Sequence, residues 1–298
     1  MNAVGNYDLG RPIEPLGTPY TGEDRTFASE RHDDKVIQSP RYQHCTFSNL
    51  SFKKATLKSG SFDDCVFIGC YFRRAELRDC RFVGCRFYDC NFSHVALKSC
   101  DFRYSVFRGC QIAYSEFEHN LPSEPNLRED LARNLSVESS RLGLSREARS
   151  YRMAEIQAHE QHLKAAFQGS SQWYRDHFDS LARVQVFAQW FLSLLNRWLW
   201  GYGQRAMVLV RNLFFLSFGI FPISFFMLRE QLSHSSGKTI TFVDTVYFSL
   251  GNVVPAGVAS EMVAIGLATR VLAGLESLFG VVAIALFATY VFRWSLHR

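Results

Sequence analysis

No cysteine occurs before Cys45 or after Cys110, although the chain holds eight. The first two-thirds contains no long apolar run, which excludes a membrane span there. The opening MNAVGNYDLGRP lacks a basic start, an apolar core and a small-residue cleavage site, so no signal peptide is expected. No arginine-rich voltage-sensing helix, nucleotide-binding fold, EF-hand loop or phosphate loop is present. No Ser/His/Asp or Cys/His set stands out either. Enzyme activity is therefore not expected, nor is a cofactor or a metal. Acidic or basic runs are also missing. The 33 Lys and Arg against 28 Asp and Glu leave a modest +5, not gathered in a tail, and no nucleic-acid partner is expected.

What is present first is a period of five. The positions Tyr42, Phe47, Phe52, Leu57, Phe62, Phe67, Phe72, Leu77, Phe82, Phe87, Phe92, Leu97, Phe102, Phe107, Ile112 and Phe117 are all large and apolar. A strict short period indicates a solenoid. A second position, two residues earlier, is small. It holds all eight cysteines (Cys45, Cys65, Cys70, Cys80, Cys85, Cys90, Cys100, Cys110). A disulfide framework has no reason to keep one phase, so these thiols are read as buried, reduced packing residues in a cytosolic region. Leu replaces Phe at 57, 77 and 97, a further period of twenty. Four fives per turn place these leucines in one column.

This pattern resembles the pentapeptide-repeat family, with its A(D/N)LXX consensus. The resemblance implies a right-handed, four-sided β-helix over residues 40–119, in which each coil buries its apolar column only against its neighbours. Residues 1–39, with three prolines and few large apolar side chains, are expected to be a flexible arm. The same period stacks cations into a ridge: Lys53 with Arg73, Lys54 with Arg74, and Lys58 with Arg78 and Lys98. The ridge is either a solvated face or a contact for an anionic headgroup, an acidic cytoplasmic partner or a ligand. Some members of the family mimic DNA with a strongly acidic rod; the cationic excess here argues against that role.

Residues 120–170 read as a helical connector, two helices broken at Gly143 with Ser145 as a cap. His159 and His162 share a helix face and could meet a metal with Glu155 or Glu160, but a solvated helix is the simpler reading. Residues 171–204 mix Trp173, Trp190, Trp198 and Trp200 with Arg175, Arg183 and Arg197. This predicts an amphipathic helix at the membrane–water interface.

The chain then becomes apolar. Spans are expected at about 206–228, kinked by Pro222, and at about 266–294. Arginines at their ends put both termini on the cytoplasmic side of the plasma (inner) membrane of a bacterium. The segment between, about 240–259, is too short to span and too apolar for an outer loop. The arrangement resembles the two-helix pore module of potassium-channel-type proteins. Phe242, Asp244, Tyr247, Phe248 and Ser249 match its pore helix. Arg270, Leu272, Ala273, Leu275, Glu276, Leu278 and Gly280 match its inner helix. Where that family carries TVGYG, this chain has Pro255, Ala256, Gly257, Val258 and Ala259, keeping only the central glycine. Pro255 removes a hydroxyl ligand and an N–H, and Ala259 replaces a glycine suited to positive φ. The resemblance therefore implies a wider filter over Asn252, Val253, Val254 and 255–259, with Asn252 offering a ring of amides and with weak cation preference. An anion pore is the alternative.

Glu276, ionisable inside a span, is either a brace behind the pore loop or part of the conduction path. Gly274 and Gly280 either hinge the inner helix or allow close packing. Phe287 or Val291 could ring a hydrophobic gate. One chain cannot enclose a path, so the expectation is a homotetrameric ion channel in the lipid bilayer, each copy carrying a cytoplasmic β-helix. The fold class is thus mixed: β-helix, helical connector, then a two-span α-helical pore domain at 205–298. The rival reading is a membrane-anchored scaffold without conduction.

Overall fold

The computed structural model describes residues 14–17, 20–203, 206–253 and 261–296. It divides into two units, Met1–Phe187 and Ala188–Arg298.

In the first unit, three-residue strands recur with a step of twenty and pair in parallel. Three faces carry ladders of four, five and four strands. The fourth carries single bridges linking Arg31, Ser51, Tyr71, Asn91 and Gln111. This is a right-handed β-solenoid. The residues placed every fifth position by the sequence point inward and stack. The rings of Phe47 and Phe67 lie 4.7 Å apart at 9°, those of Phe62 and Phe82 4.9 Å apart at 3°, and those of Phe72 and Phe92 5.0 Å apart at 12°. Leu57, Leu77 and Leu97 are register partners in one of the four-strand ladders. Burying each such side chain contributes about 1.5–3 kcal/mol.

The cysteine register now has a cause. Each thiol from Cys65 on donates to the carbonyl twenty-three residues earlier, on the coil below: Cys70 to Phe47 (3.3 Å), Cys85 to Phe62 (3.2 Å), Cys90 to Phe67 (3.5 Å). Ser105 makes the same bond to Phe82 at 2.5 Å. The position is buried whether or not its side chain has a donor, as Ala55, Ala75 and Val95 show; where Cys or Ser stands there, its donor is met by the coil below. All eight thiols are buried, and burial holds Cys90 well above its ordinary pKa.

A second regularity escaped the sequence reading. The residue two after each central one turns the corner in the left-handed region, from Asp24 (φ 56°) through His44, Asn49, Asp64 and Asp89 to Tyr104 (φ 62°). Asp, Asn, Ser, His and Gly dominate there because they tolerate that conformation. Their recurrence every fifth residue was visible in the sequence as a third phase of the repeat.

The arm expected over 1–39 is corrected. Thr21–Glu23, Thr26–Ala28 and Val36–Gln38 pair with the next coil and form a first turn. Its inward positions are Gly22, Phe27, His32 and Ile37, too degenerate to stand out. His32 is buried against the Phe52 ring (5.8 Å) and bonds Glu30 at 2.9 Å. Residues 1–13 lie outside the described residues.

At the other end, Pro125–Arg141 and Ser145–Gln168 form the expected helix pair; polar side chains of this pair, with Asn120 from the turn Glu118–Asn120 before it, finish the solenoid's open edge. The Asn134 amide bonds both the N–H and the C=O of Phe107 (2.8 and 3.0 Å). Asn120 accepts from the Cys100 N–H (2.8 Å), Glu138 from Gly109 (3.1 Å) and Glu147 from Tyr114 (2.6 Å). An unpaired edge would leave these groups unmet. Ser145 opens its helix at the first position, and no side chain caps that end. The single interfacial helix expected over 171–204 is two, Gln172–His177 and Ser180–Trp200. Asp179 starts the second by accepting the Ala182 N–H at 2.8 Å.

In the second unit, two helical stretches are long and apolar enough to cross a membrane, Met207–Met227 and Leu267–Phe292. The first is interrupted by a π-helical turn, Leu216–Ile220, just before Pro222. Proline has no N–H to give the carbonyl four residues back, and the wider turn absorbs that loss. Between the two stretches lies the short helix Phe242–Val253. A two-strand ladder, Leu232–His234 with Met262–Ala264, was not foreseen. It ties the end of the first stretch to the start of the last.

Candidate functional site

The site is the meeting point of three helices in the second unit. Asp244 opens the short helix. Its carboxylate accepts from the Thr241 N–H (2.8 Å) and hydroxyl (2.7 Å), and the Thr241 hydroxyl faces the Asp244 N–H at 3.4 Å. This is a capping box. Tyr247 is exposed on the described chain, while Thr245 and Ser249 are fully buried.

Ser249 sits at the junction. Its hydroxyl donates to Oε1 of Glu276 and lies 2.9 Å from the Ser217 carbonyl. Asn252 Nδ2 donates to Oε2 of Glu276 at 3.0 Å. Three residues assigned separate roles by the sequence thus form one node, joined to the first stretch through Ser217. Glu276 is 0% exposed. A carboxyl group there costs heavily unless its oxygens are met, and both are. The geometry of a brace is present. The Asn252 amide nitrogen is turned onto Glu276.

The two glycines of the last helix separate. A Cβ on Gly280 would stand 2.5 Å from the Val253 carbonyl oxygen and 2.9 Å from its Cα; one on Gly274 would meet nothing within 4 Å. Gly280 therefore seats the end of the short helix. The helix Leu267–Leu296 runs unbroken through both positions, and Phe287 and Val291 lie exposed along it. The expected filter positions Val254, Pro255, Ala256, Gly257, Val258 and Ala259 lie outside the described residues.

Sequence reasoning missed Ser217 and Asn212, both buried. Their signal was polarity inside an otherwise apolar run. The π-helical turn releases the Ser217 carbonyl toward Ser249. Asn212 donates to the Trp198 and Leu199 carbonyls, the latter at 3.1 Å, and caps the end of Ser180–Trp200. That helix leaves Leu181, Val184, Phe191, Leu195 and Trp198 exposed along one side.

The candidate metal residues of the connector do not converge. His159 bonds Glu129 (3.1 Å), His162 bonds the Tyr174 hydroxyl (2.9 Å), and Glu155 takes Arg133 and Arg152. Elsewhere Glu23, Asp24 and His44 bring ligand atoms within 4.8 Å of one another on the solenoid surface. The cationic ridge splits. Glu76 binds Arg78 (2.5 Å) and Lys98 (3.2 Å), and these two neighbours hold its carboxyl below the usual range.

Residues 60–127 match the family model described as pentapeptide repeat region. Among solved structures, a pentapeptide repeat protein from the cyanobacterium Cyanothece 51142 is 10% identical, covering 32% of this chain and 78% of that one, with a TM-score of 0.30. A pentapeptide repeat protein from the Arabidopsis thaliana thylakoid lumen is 19% identical over 34% and 70%, also at 0.30. Trypsin-treated QnrB1, a plasmid-mediated fluoroquinolone resistance protein, is 17% identical over 31% and 58%, at 0.25. No curated protein matches the chain. The chain carries a pentapeptide-repeat β-solenoid, followed by helices of which two are long and apolar enough to span a membrane.

Proposed function

We propose that this chain is the subunit of a homotetrameric, pore-loop ion channel that passes monovalent cations with weak selectivity, its β-solenoid and both termini on the cytoplasmic face. The observation that carries the reading is the node of Ser249, Asn252 and Glu276. It fixes a short helix between two membrane-length helices, and Gly280 lets that helix end against the last one. Such a half-length helix aims its partially negative C-terminal end toward the loop that follows, which favours cations there. Retention of only Gly257 from the TVGYG pattern argues for a pore that keeps ions partly hydrated. The apolar side of Ser180–Trp200, with tryptophan near its end, fits a helix lying in the bilayer interface.

Proteoliposomes loaded with KCl test the proposal. Purified protein should release K⁺ once a counter-ion path is supplied, and native mass spectrometry should find four subunits. Retention of K⁺ by every preparation would leave a membrane-anchored scaffold.

A further inference from the structure

The cations stacked on the solenoid do not share one environment. Arg78 and Lys98 share one carboxylate, Glu76, which leaves that pair a single net positive charge. Lys53, Lys54, Arg73 and Arg74 occupy two adjacent columns on two neighbouring coils, a two-by-two square. Its edges are one peptide step and one strand spacing of about 4.8 Å. Among the described residues, Lys53, Arg73 and Arg74 make no ion pair, and Lys54 reaches only Asp34, at 4.0 Å. Beneath Lys53, Asp33 Oδ1 accepts the Ser51 hydroxyl (2.5 Å) and the Lys53 N–H (3.0 Å), and no ion pair joins its carboxylate to the Lys53 ammonium. The Nε atoms of Arg73 and Arg78 are both buried without an acceptor; what separates the two arginines is that the Arg78 guanidinium reaches Glu76 and that of Arg73 reaches no acid among the described residues. Like charges held one above the other in the turns of neighbouring coils repel, and an unmet buried donor adds to that cost. Lys53, Lys54 and Arg74 are exposed and Arg73 is half-buried.

We infer that this square is a binding site for clustered phosphate groups, presented either by a soluble polyphosphorylated compound or by a phosphorylated lipid headgroup. Two guanidinium forks supply paired donors matched to phosphate oxygens, and two ammonium groups add charge beside them. One ligand bearing several negative charges relieves all four cations at once. A single carboxylate would relieve one or two.

The test uses the full chain in zwitterionic nanodiscs, with tripolyphosphate titrated by calorimetry at low salt. R73Q/R74Q and R78Q/K98Q each remove two positive charges from the same rod. The site requires at least a tenfold loss of affinity in R73Q/R74Q and less than a twofold change in R78Q/K98Q. K53Q/K54Q should match R73Q/R74Q, which keeps the test open if one variant folds poorly. Equal losses in all three variants would reduce the effect to net charge and overturn the site, as would no binding by the wild type. A second arm repeats the titration in nanodiscs carrying phosphatidylinositol bisphosphate. Competition that R73Q/R74Q removes assigns the site to a lipid headgroup; affinity unchanged by the lipid assigns it to a soluble phosphate compound. Neither arm needs ion conduction, so a silent channel would leave the result intact.

Discussion

Substituting alanine at the two glycines of the last helix should have opposite effects. At Gly280 the new Cβ would lie 2.5 Å from the Val253 carbonyl oxygen, whereas real Cβ contacts essentially never fall below 3.0 Å. The short helix must therefore retreat by about half an ångström or more, and the obstacle is backbone, which has no rotamer to change. Overpacking of this kind costs about 1–3 kcal/mol. The displacement falls on the helix that presents Ser249 and Asn252 to Glu276, so both bonds of the node lengthen with it. At Gly274 nothing lies within 4 Å, and alanine gains about 1 kcal/mol of helix propensity over glycine. Urea unfolding in a mild detergent, followed by the fluorescence of the membrane unit, should show Gly280→Ala weakened and Gly274→Ala unchanged or strengthened. Equal destabilisation by both would refute the seating role of Gly280. Strengthening by Gly280→Ala would refute the close approach itself.

Further outcomes follow from other contacts. Glu276→Leu should lower stability by about 1–3 kcal/mol because it strands the Asn252 amide and leaves the Ser249 hydroxyl only the Ser217 carbonyl, and Glu276→Gln should cost less; chemical denaturation ranks them. Asn134→Ala should expose the N–H and C=O of Phe107 on the solenoid's last coil, a loss of about 1–3 kcal/mol, seen as faster amide exchange at that edge. The thiols should resist a water-soluble disulfide reagent in the native protein and react together in denaturant; rapid native labelling would contradict their burial. Burial lowers the pKa of His162 below its ordinary 6.5. The folded state then resists a proton that the unfolded chain accepts. Connector stability is therefore full above 6.5 and declines as pH falls through that value toward the depressed one. His162→Phe should flatten that slope in pH-dependent melting.

The solenoid was the most legible part of the chain because its determinants repeat. Phe67, Phe87 and Phe107 announce one column by spacing alone, and the leucines at 57, 77 and 97 announce the number of sides. The first coil was not legible. Gly22 and His32 break the apolar phase, and His32 is tolerated only because Glu30 and the Phe52 ring receive it. The finishing of the last coil by Asn120, Asn134, Glu138 and Glu147 was hidden too. A side chain that replaces a strand partner leaves no periodic trace. In the second unit, Ser249, Asn252 and Glu276 were each visible as polar residues in apolar surroundings. Their convergence was not, since it depends on a π-helical turn at Leu216–Ile220 and on a missing Cβ at Gly280. The ladder between Leu232–His234 and Met262–Ala264 joins two short segments with no distinctive alternation, and only the fold brings them together.

Current recorded from the purified full-length chain in a planar bilayer tests the central proposal most directly. With KCl on one side and NaCl on the other, the expected reversal potential is close to zero. A gradient of one salt should then shift it toward the cation's equilibrium potential. A reversal potential set by chloride, or strong preference for K⁺ over Na⁺, would contradict the pore described here, and a bilayer that stays silent under every salt would contradict conduction itself.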